Sequence, residues 1–330
     1  MPPVLLLADS DIATVLDPDT CIEAVEEAFR AGGAGVSQPS AVMAVALAEG
    51  VVHVKAAALA PEHGVFVAKV NANFPGNPSR HGAPTIQGLV VVLDASSGAP
   101  LAVLESGALT PLRTAAATAV AARHLARRDA AVATIIGCGV QAEAQLEFLH
   151  RARPLARAMA FDTRADASQD FAARLTERLG IGVNPVGDFH EACRMSDIII
   201  TCTTAREPFL EAEDIPAGAF VAAVGADNPD KRELGPGIFR GAVTFVTDVT
   251  PQCAEIGELH HALADGVLTL DGVHAELGEI VAGAKPGRRR EDERIVFDST
   301  GTGIQDAAAA GAVCERARTL GLGSWFSFRS

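Results

Sequence analysis

Basic charge is what this chain of 330 residues is short of: 27 lysines and arginines stand against 41 aspartates and glutamates, a net charge of −14. That balance argues against nucleic acid as a partner, because a phosphate backbone demands lysine and arginine in excess. Long apolar runs are missing too. The opening Val4-Leu5-Leu6-Leu7 is far too short to span a bilayer and lacks the basic flank of a secretory signal. It reads as a first strand, in a cytoplasmic protein with no membrane partner. The six cysteines (Cys21, Cys138, Cys193, Cys202, Cys253, Cys314) form no Cys-x-x-Cys pair. Neither a disulfide framework nor a zinc knuckle is expected, only reduced and mostly buried thiols. The histidines are scattered, and adjacent His260 and His261 point to different sides of a helix, so no metal site is expected. Repeats and low-complexity tracts are also lacking, and Arg288-Arg289-Arg290 reads as a solvated loop.

What is present fits a globular enzyme. Hydrophobic content is 48% and charged content 21%, ordinary for a soluble protein, and the length suits two domains. From Ala131 onward, strands and helices alternate. Candidate strands are 131–136, 157–162, 197–202, 219–224, 243–247 and 294–298, with helical stretches such as 140–151 and 166–179 between them. Such spacing implies an α/β fold with a parallel, doubly wound sheet, whose nucleotide crevice lies at the carboxyl ends of its strands. At the first strand–helix junction, Gly137, Gly139 and Ala142 spell glycine–x–glycine–x–x–alanine. The first glycine permits a tight turn, the second lets backbone approach a pyrophosphate, and the small third residue lets helix pack on strand. The motif alone is weak in so glycine- and alanine-rich a chain. It gains weight from Asp162, an acid about 20 residues on at the end of the next strand, suited to the hydroxyls of a ribose. Cys138, inside the turn, reads as a small filler rather than a nucleophile.

The first 110 or so residues read differently. A helix from Pro18 to about Gly32 follows Asp17, and strands are expected at 41–47, 51–58, 65–71 and 86–93. Leu109-Thr-Pro-Leu-Arg113 reads as a link into an alanine-rich helix. The last helix, from Asp306 to about Leu320, returns to the first domain. The expected division is therefore a discontinuous α+β domain, 1–115 plus 306–330, around a Rossmann-type domain at 116–305.

Three residues stand outside the nucleotide domain's own needs. Lys69 sits among apolar neighbours in Phe66-Val-Ala-Lys-Val-Asn71, so it has a partner or cavity, or it lies on a solvated face. Arg113 opens the alanine-rich helix and serves either a ligand or a structural salt bridge. Asp227, in Val224-Gly-Ala-Asp-Asn-Pro229, falls at a strand's carboxyl end, as a site residue or as turn chemistry. Together they suit an amino or imino acid. Lysine and arginine hold a carboxylate by charge-assisted hydrogen bonds, and an aspartate can orient or protonate a nitrogen.

An ordered series of motifs now makes the chain resemble the ornithine cyclodeaminase/mu-crystallin family over nearly its whole length. They are Lys69-Val-Asn71 with Phe74-Pro-Gly-Asn77, Pro84-Thr-Ile-Gln-Gly88, Leu112-Arg-Thr-Ala-Ala116, and Gly137-Cys-Gly-Val-Gln-Ala142. Next come Gly225-Ala-Asp227 with Glu233-Leu234, and Ala275-Glu-Leu-Gly-Glu279 with Gly283-Ala-Lys-Pro286. The last is Asp298-Ser-Thr-Gly301 with Gln305-Asp306. The resemblance implies a homodimer whose first domain supplies dimer contacts and substrate groups. It implies that Lys69 and Arg113 bind a substrate carboxylate, with Lys69 close to the reacting carbon, and that Asp227 is the acid/base.

NAD is the expected cofactor, because the Asp162 carboxylate repels the 2′-phosphate of NADP, while Arg164 partly offsets it and leaves NADP open. The expected cofactor contacts are Thr114; Gly137, Gly139, Val140 and Gln141 in the turn; and Asp162, Thr163 and Arg164 beyond the second strand. Thr201 and Thr203, then Val224, Gly225 and Ala226, and finally Ser299, Thr300 and Gly301 follow at later strand ends.

Members of the family include cyclodeaminases, ketimine reductases, amino acid dehydrogenases and a mammalian lens protein that binds thyroid hormone. The chain departs from them in one region. Gln38-Pro-Ser-Ala41 has alanine where many members carry an arginine, and His53-Val-Lys-Ala56 replaces a Met-Pro region. Lys55 is a candidate replacement cation. Histidine stands where the ornithine-converting members have an acid. The favoured expectation is an NAD(P)H-dependent reductase of an imino acid or cyclic ketimine, or the reverse amino acid dehydrogenation. A cyclodeaminase and a non-catalytic metabolite-binding protein stay open.

Overall fold

The computed structural model describes residues 2–35, 41–59 and 64–328. Of the Gln38–Ala41 segment, Gln38, Pro39 and Ser40 lie outside the described residues, and Ala41 is the first residue inside them. The chain folds into two compact units: Met1–Arg113 with Thr302–Ser330, and Thr114–Gly301.

The first unit is built on β1 (Val4–Leu7), β2 (Ala41–Leu47), β3 (Gly50–Ala58), β4 (Val65–Asn73), β5 (Ile86–Asp94), β6 (Pro100–Glu105) and, from the end of the chain, β15 (Ser324–Phe326). Their order in the sheet is β15-β1-β6-β5-β4-β3-β2. Only β1 and β6 run parallel; β2 to β5 form an antiparallel meander. Alternation along β4 buries Val65, Val67 and Lys69 on one face. Cross-strand register adds Ala57 of β3 and Val90 and Val92 of β5 to that face. The helix Gly303–Leu320 covers it. Its first half carries a run of four alanines, Ala307 to Ala310, between Gly303 and Gly311; alanine forms helix readily, and both residue types leave little bulk between helix and sheet. A Cβ on Gly303 would meet Ala57 Cβ at 2.9 Å and Ala56 O at 3.0 Å, so the first turn lies directly on β3. The helix Pro18–Gly33 packs beside it. It begins as the sequence suggests, with Asp17 accepting from Thr20 N–H at 2.9 Å and proline in the first turn.

The second unit holds eight strands: β7 (Val132–Ile136), β8 (Arg157–Phe161), β9 (Gly182–Pro185), β10 (Ile198–Thr201), β11 (Phe220–Ala223), β12 (Val243–Thr247), β13 (Val273–Glu276) and β14 (Arg294–Asp298). All pair in parallel, in the order β13-β12-β14-β11-β10-β7-β8-β9. This is the expected doubly wound sheet, with apolar runs such as Ile198–Ile200 buried. Chain order reverses at β7, with β8 and β9 on one side and β10 and β11 on the other. The switch point therefore lies at the carboxyl ends of β7 and β10, where open α/β sheets bind ligands.

Some elements differ from the sequence reading. The segment from Leu109 is not a link but the first turn of the helix Leu109–Leu125. Pro111 is tolerated there because the first amides of a helix have no internal acceptor to lose. Arg113 therefore sits in the second turn rather than opening the helix. The last helix begins at Gly303, three residues earlier than expected. Nor is Arg288–Arg290 a merely solvated loop. Arg288 Nε donates to Leu125 O at 2.7 Å, and Arg289 Nη2 bonds Glu293 at 2.6 Å.

Candidate active site

At the glycine turn, Gly137 has φ +93°, a backbone that side chains rarely adopt. A Cβ there would press to 3.0 Å from Cys202 O, on the loop after β10. Gly139 caps the helix Val140–Ala152 in extended conformation, and a Cβ on it would meet nothing within 4 Å. Ala142, wholly buried, closes the helix onto the sheet. Asp162, just beyond β8, accepts from Cys138 N–H at 2.9 Å and from Arg164 N–H at 2.9 Å, one on each oxygen. The acid thus ties the turn to its own loop. Burial pushes the Cys138 thiol up to about 12, as a space-filling cysteine requires. Thr163, Arg164 and Val140 are exposed, and Gln141 is half-buried.

The next strand ends are joined by a residue that carried no expected role. Glu233 is fully buried. It accepts from Thr201 Oγ1 (2.6 Å), Thr203 N–H and Oγ1 (both 2.7 Å) and Gly225 N–H (2.9 Å). One carboxylate therefore braces the loops after β10 and β11. Burial raises the proton affinity of Glu233 against those hydrogen bonds. Its own N–H is received by buried Glu258 at 2.7 Å. Further along the sheet, Asp248 accepts from Thr300 Oγ1 (3.0 Å) and Gly301 N–H (2.7 Å), fixing the loop after β14. Asp298, at the end of β14, accepts Leu259 N–H at 2.9 Å, and burial pushes its carboxyl up to about 7. A belt of buried acids thus underlies the loops that the sequence marks as cofactor contacts. Val224, Gly225 and Ala226 are themselves buried, and so is Thr114 in the helix Leu109–Leu125.

In the first unit, Lys69 and Arg113 converge. Lys69 Nζ lies 2.7 Å from Asp306 Oδ1, and Arg113 Nε lies 2.9 Å from the same oxygen. Arg113 Nη1 donates to Gln305 Oε1 at 2.9 Å. Lys69 is 4% exposed, Arg113 5% and Asp306 0%. Burial and the nearby Arg113 guanidinium lower the Lys69 ammonium to about 7, with Asp306 pulling the other way. Burial disfavours the Asp306 charge, yet Arg113 and Lys69 hold its carboxyl below the usual value. Of the two readings of Lys69, the partnered one is the structure's. Lys55 lies directly across from Lys69 on β3, on the same face. Ala41 pairs with Ala56, on the opposite face. His53 lies across from Asn71, also on the Lys69 face.

Asp227 lies beyond β11 with its side chain 50% exposed. Its Oδ1 receives Lys231 Nζ at 2.7 Å and Asn228 Nδ2 at 3.2 Å, so the turn chemistry read from Asp-Asn-Pro is present around it. Its placement is in the second unit, among the loops after the sheet.

The family model for the ornithine cyclodeaminase/mu-crystallin family matches residues 4–320. Alanine dehydrogenase of Archaeoglobus fulgidus is 36% identical over 325 residues, covering 98% of each chain. An archaeal alanine dehydrogenase dimer with bound NAD superposes with TM-score 0.94 at 35% identity, over 99% of this chain and 100% of that one. Thermococcus litoralis Δ1-pyrroline-2-carboxylate reductase, in complex with NADH and L-proline, gives TM-score 0.92 at 33% identity, over 97% and 99%. The chain belongs to the ornithine cyclodeaminase/mu-crystallin family.

The residues present also fit the dinucleotide that the family implies. Open space over Gly139 and the 82% exposed Val140 leave the N-terminus of a long helix free to face phosphate. Ser299 Oγ, at the carboxyl end of β14, is buried without a hydrogen-bond partner among the described residues. Asp306 and Gln305 were legible to the sequence only as a family motif, and Glu233 only as a companion of Asp227. What Asp306 and Gln305 hold lies far away in the chain. Among the described residues no group of three or more His, Cys, Asp or Glu is placed to hold a metal ion.

Proposed function

We propose that this protein is an NAD(P)H-dependent oxidoreductase that reduces the C=N bond of an imino acid or cyclic ketimine, or runs the reverse amino acid dehydrogenation. The observation that carries the reading is the convergence of Lys69 and Arg113 on one buried oxygen, in a chain that also carries the glycine turn with Asp162. Two buried cations side by side suit a carboxylate, which charge-assisted bonds hold at a fixed angle. Lys69 and Arg113 bind that carboxylate, with Lys69 nearest the reacting carbon and Lys55 adding charge from the next strand. Asp227 delivers or removes the proton on the substrate nitrogen; its exposure lets it exchange that proton with solvent. Gly137, Gly139, Val140, Gln141, Thr114 and the loops at Thr201–Thr203, Val224–Ala226 and Ser299–Gly301 hold the dinucleotide, with Asp162, Thr163 and Arg164 at its ribose. The nicotinamide supplies or takes the hydride at the α-carbon.

The first unit acts as the substrate and dimerisation domain, the second as the dinucleotide domain. A homodimer is supported by one apolar sheet face. Met43, Val45 and Leu47 of β2, Val70 of β4 and Leu89 of β5 are exposed, and register puts them on the face opposite Lys69. A reducing, cytoplasmic location is supported by six free cysteines. No helix among the described residues is long and apolar enough to cross a membrane.

A substrate panel read two ways tests the proposal, by NAD(P)H absorbance and by ammonia release. Stoichiometric oxidation of the dinucleotide with pyrroline or piperideine carboxylates, or with keto acids plus amines, is expected. NADH is expected to outperform NADPH. Ammonia and proline from ornithine, with no net change in nicotinamide, would make the protein a cyclodeaminase. Silence in both channels would favour a metabolite-binding protein.

A further inference from the structure

We propose that Asp306 is the positioning residue of the carboxylate clamp, aiming Lys69 and Arg113 at a common point from one buried oxygen. The inference rests on the reading of those two cations as substrate-binding groups. Asp306 is fully buried; its Oδ1 is taken by the two cations, and its Oδ2 has no hydrogen-bond partner among the described residues. What it contacts are the cations, one from β4 and one from the helix Leu109–Leu125. Their own elements would leave these long side chains several rotamers each. Pairing both with one oxygen removes that freedom and brings two like charges together that would otherwise repel.

The anchor is rigid. Asp306 stands in the first turn of the helix Gly303–Leu320, where the helix dipole favours a negative charge. That turn is pressed onto β3 through Gly303. The preceding residue, Gln305, accepts from Arg113 Nη1, so two successive residues of one turn hold the guanidinium, Gln305 by a hydrogen bond and Asp306 by an ion pair. Two Lys69 protons and the Arg113 Nη2 group remain to donate to a substrate carboxylate.

The same contact sets the charge of the lysine. The groups acting on Lys69 are Arg113 and Lys55, which disfavour its proton, and Asp306, which retains it. The helix Pro18–Gly33 contributes the buried Cys21 thiol near Arg113, and burial keeps that thiol neutral. β5 offers Val90 opposite Lys69. Asp306 is thus the acid that keeps the ammonium charged in its burial.

The sequence has four lysines (Lys55, Lys69, Lys231 and Lys285), so lysine-selective isotope labelling followed by NMR titration resolves each ammonium, with Lys69→Met assigning one. In the apo protein, the Lys69 midpoint is expected near 7. In Asp306→Asn it should fall by at least a factor of ten in proton affinity. The substrate KM should rise about tenfold or more, while the dissociation constant for NADH holds. Asp306→Glu keeps the charge but moves the oxygen, so it should keep the midpoint and still raise KM; this variant carries the test if the asparagine variant fails to fold. An unchanged Lys69 midpoint in Asp306→Asn, or an unchanged KM in either folded variant, overturns the inference. If the midpoint moves as expected while the wild type turns over no imino or amino acid, the positioning stands and the proposed reaction fails.

Discussion

At the residue scale, the account turns on two buried cations and one exposed acid. Lys69→Ala or Arg113→Ala should cost roughly a hundredfold or more in kcat/KM, about 3 kcal/mol, since each removes charge-assisted bonds to substrate. Dinucleotide affinity should hold in both, and a fluorescence titration with NADH checks that half. Lys55→Ala should mainly raise KM; an unchanged KM would take substrate binding away from Lys55. Asp227→Asn should lower kcat by roughly 10²–10⁴ with little change in KM, because it removes proton transfer and keeps shape. A kcat within a few-fold of wild type would take the proton transfer away from Asp227. Lys69 was legible in the sequence because a charge inside an apolar strand demands an explanation. Its partner was not, because Asp306 lies 237 residues away, inside an alanine-rich helix that says nothing of what it covers.

At the element scale, the acids at the strand ends give the second unit a distinctive pH response. Burial raises Asp298 from its ordinary 3.8 to about 7, and raises Glu258 and Glu233 as well. The folded state therefore holds protons that the unfolded chain has released. This contribution to stability is full below 3.8 and is lost as pH rises through about 7. Asp298→Asn, which keeps an acceptor for Leu259 N–H, removes one such group. Relative to wild type, the variant's melting temperature should improve by several degrees between pH 4 and pH 8, on the order of a few kcal/mol. Parallel melting curves at the two ends would rule the buried-acid explanation out. The strands of this unit were easy to read, because buried parallel strands are continuous runs of Val, Ile and Ala. The short strands β9 and β13 were not, having four residues each and polar members. The start of the helix Leu109–Leu125 was hidden by Pro111, which reads as a breaker although a first turn accepts it.

At the scale of the whole molecule, the apolar face of β2, β4 and β5 is what a second copy is expected to cover. Met43→Glu together with Leu89→Glu should shift the protein from dimer to monomer in sedimentation, without altering the fold of either unit seen by circular dichroism. A dimer that survives both changes would place the interface elsewhere. The family and its reaction class were legible because their motifs are local words in the sequence. The identity of the imine was not, because side-chain recognition depends on how His53, Lys55 and their neighbours meet a particular molecule. The central claim is that this chain moves hydride between nicotinamide and the α-carbon of an amino acid held by Lys69 and Arg113. The most direct test supplies NADH stereospecifically deuterated at C4, in each of its two forms, with an imino acid substrate, and analyses the product by mass spectrometry. The account predicts an amino acid carrying deuterium on its α-carbon from one of the two forms, with stoichiometric loss of NADH. An unlabelled product from both forms, or ammonia and proline released from ornithine with NADH undiminished, would contradict it.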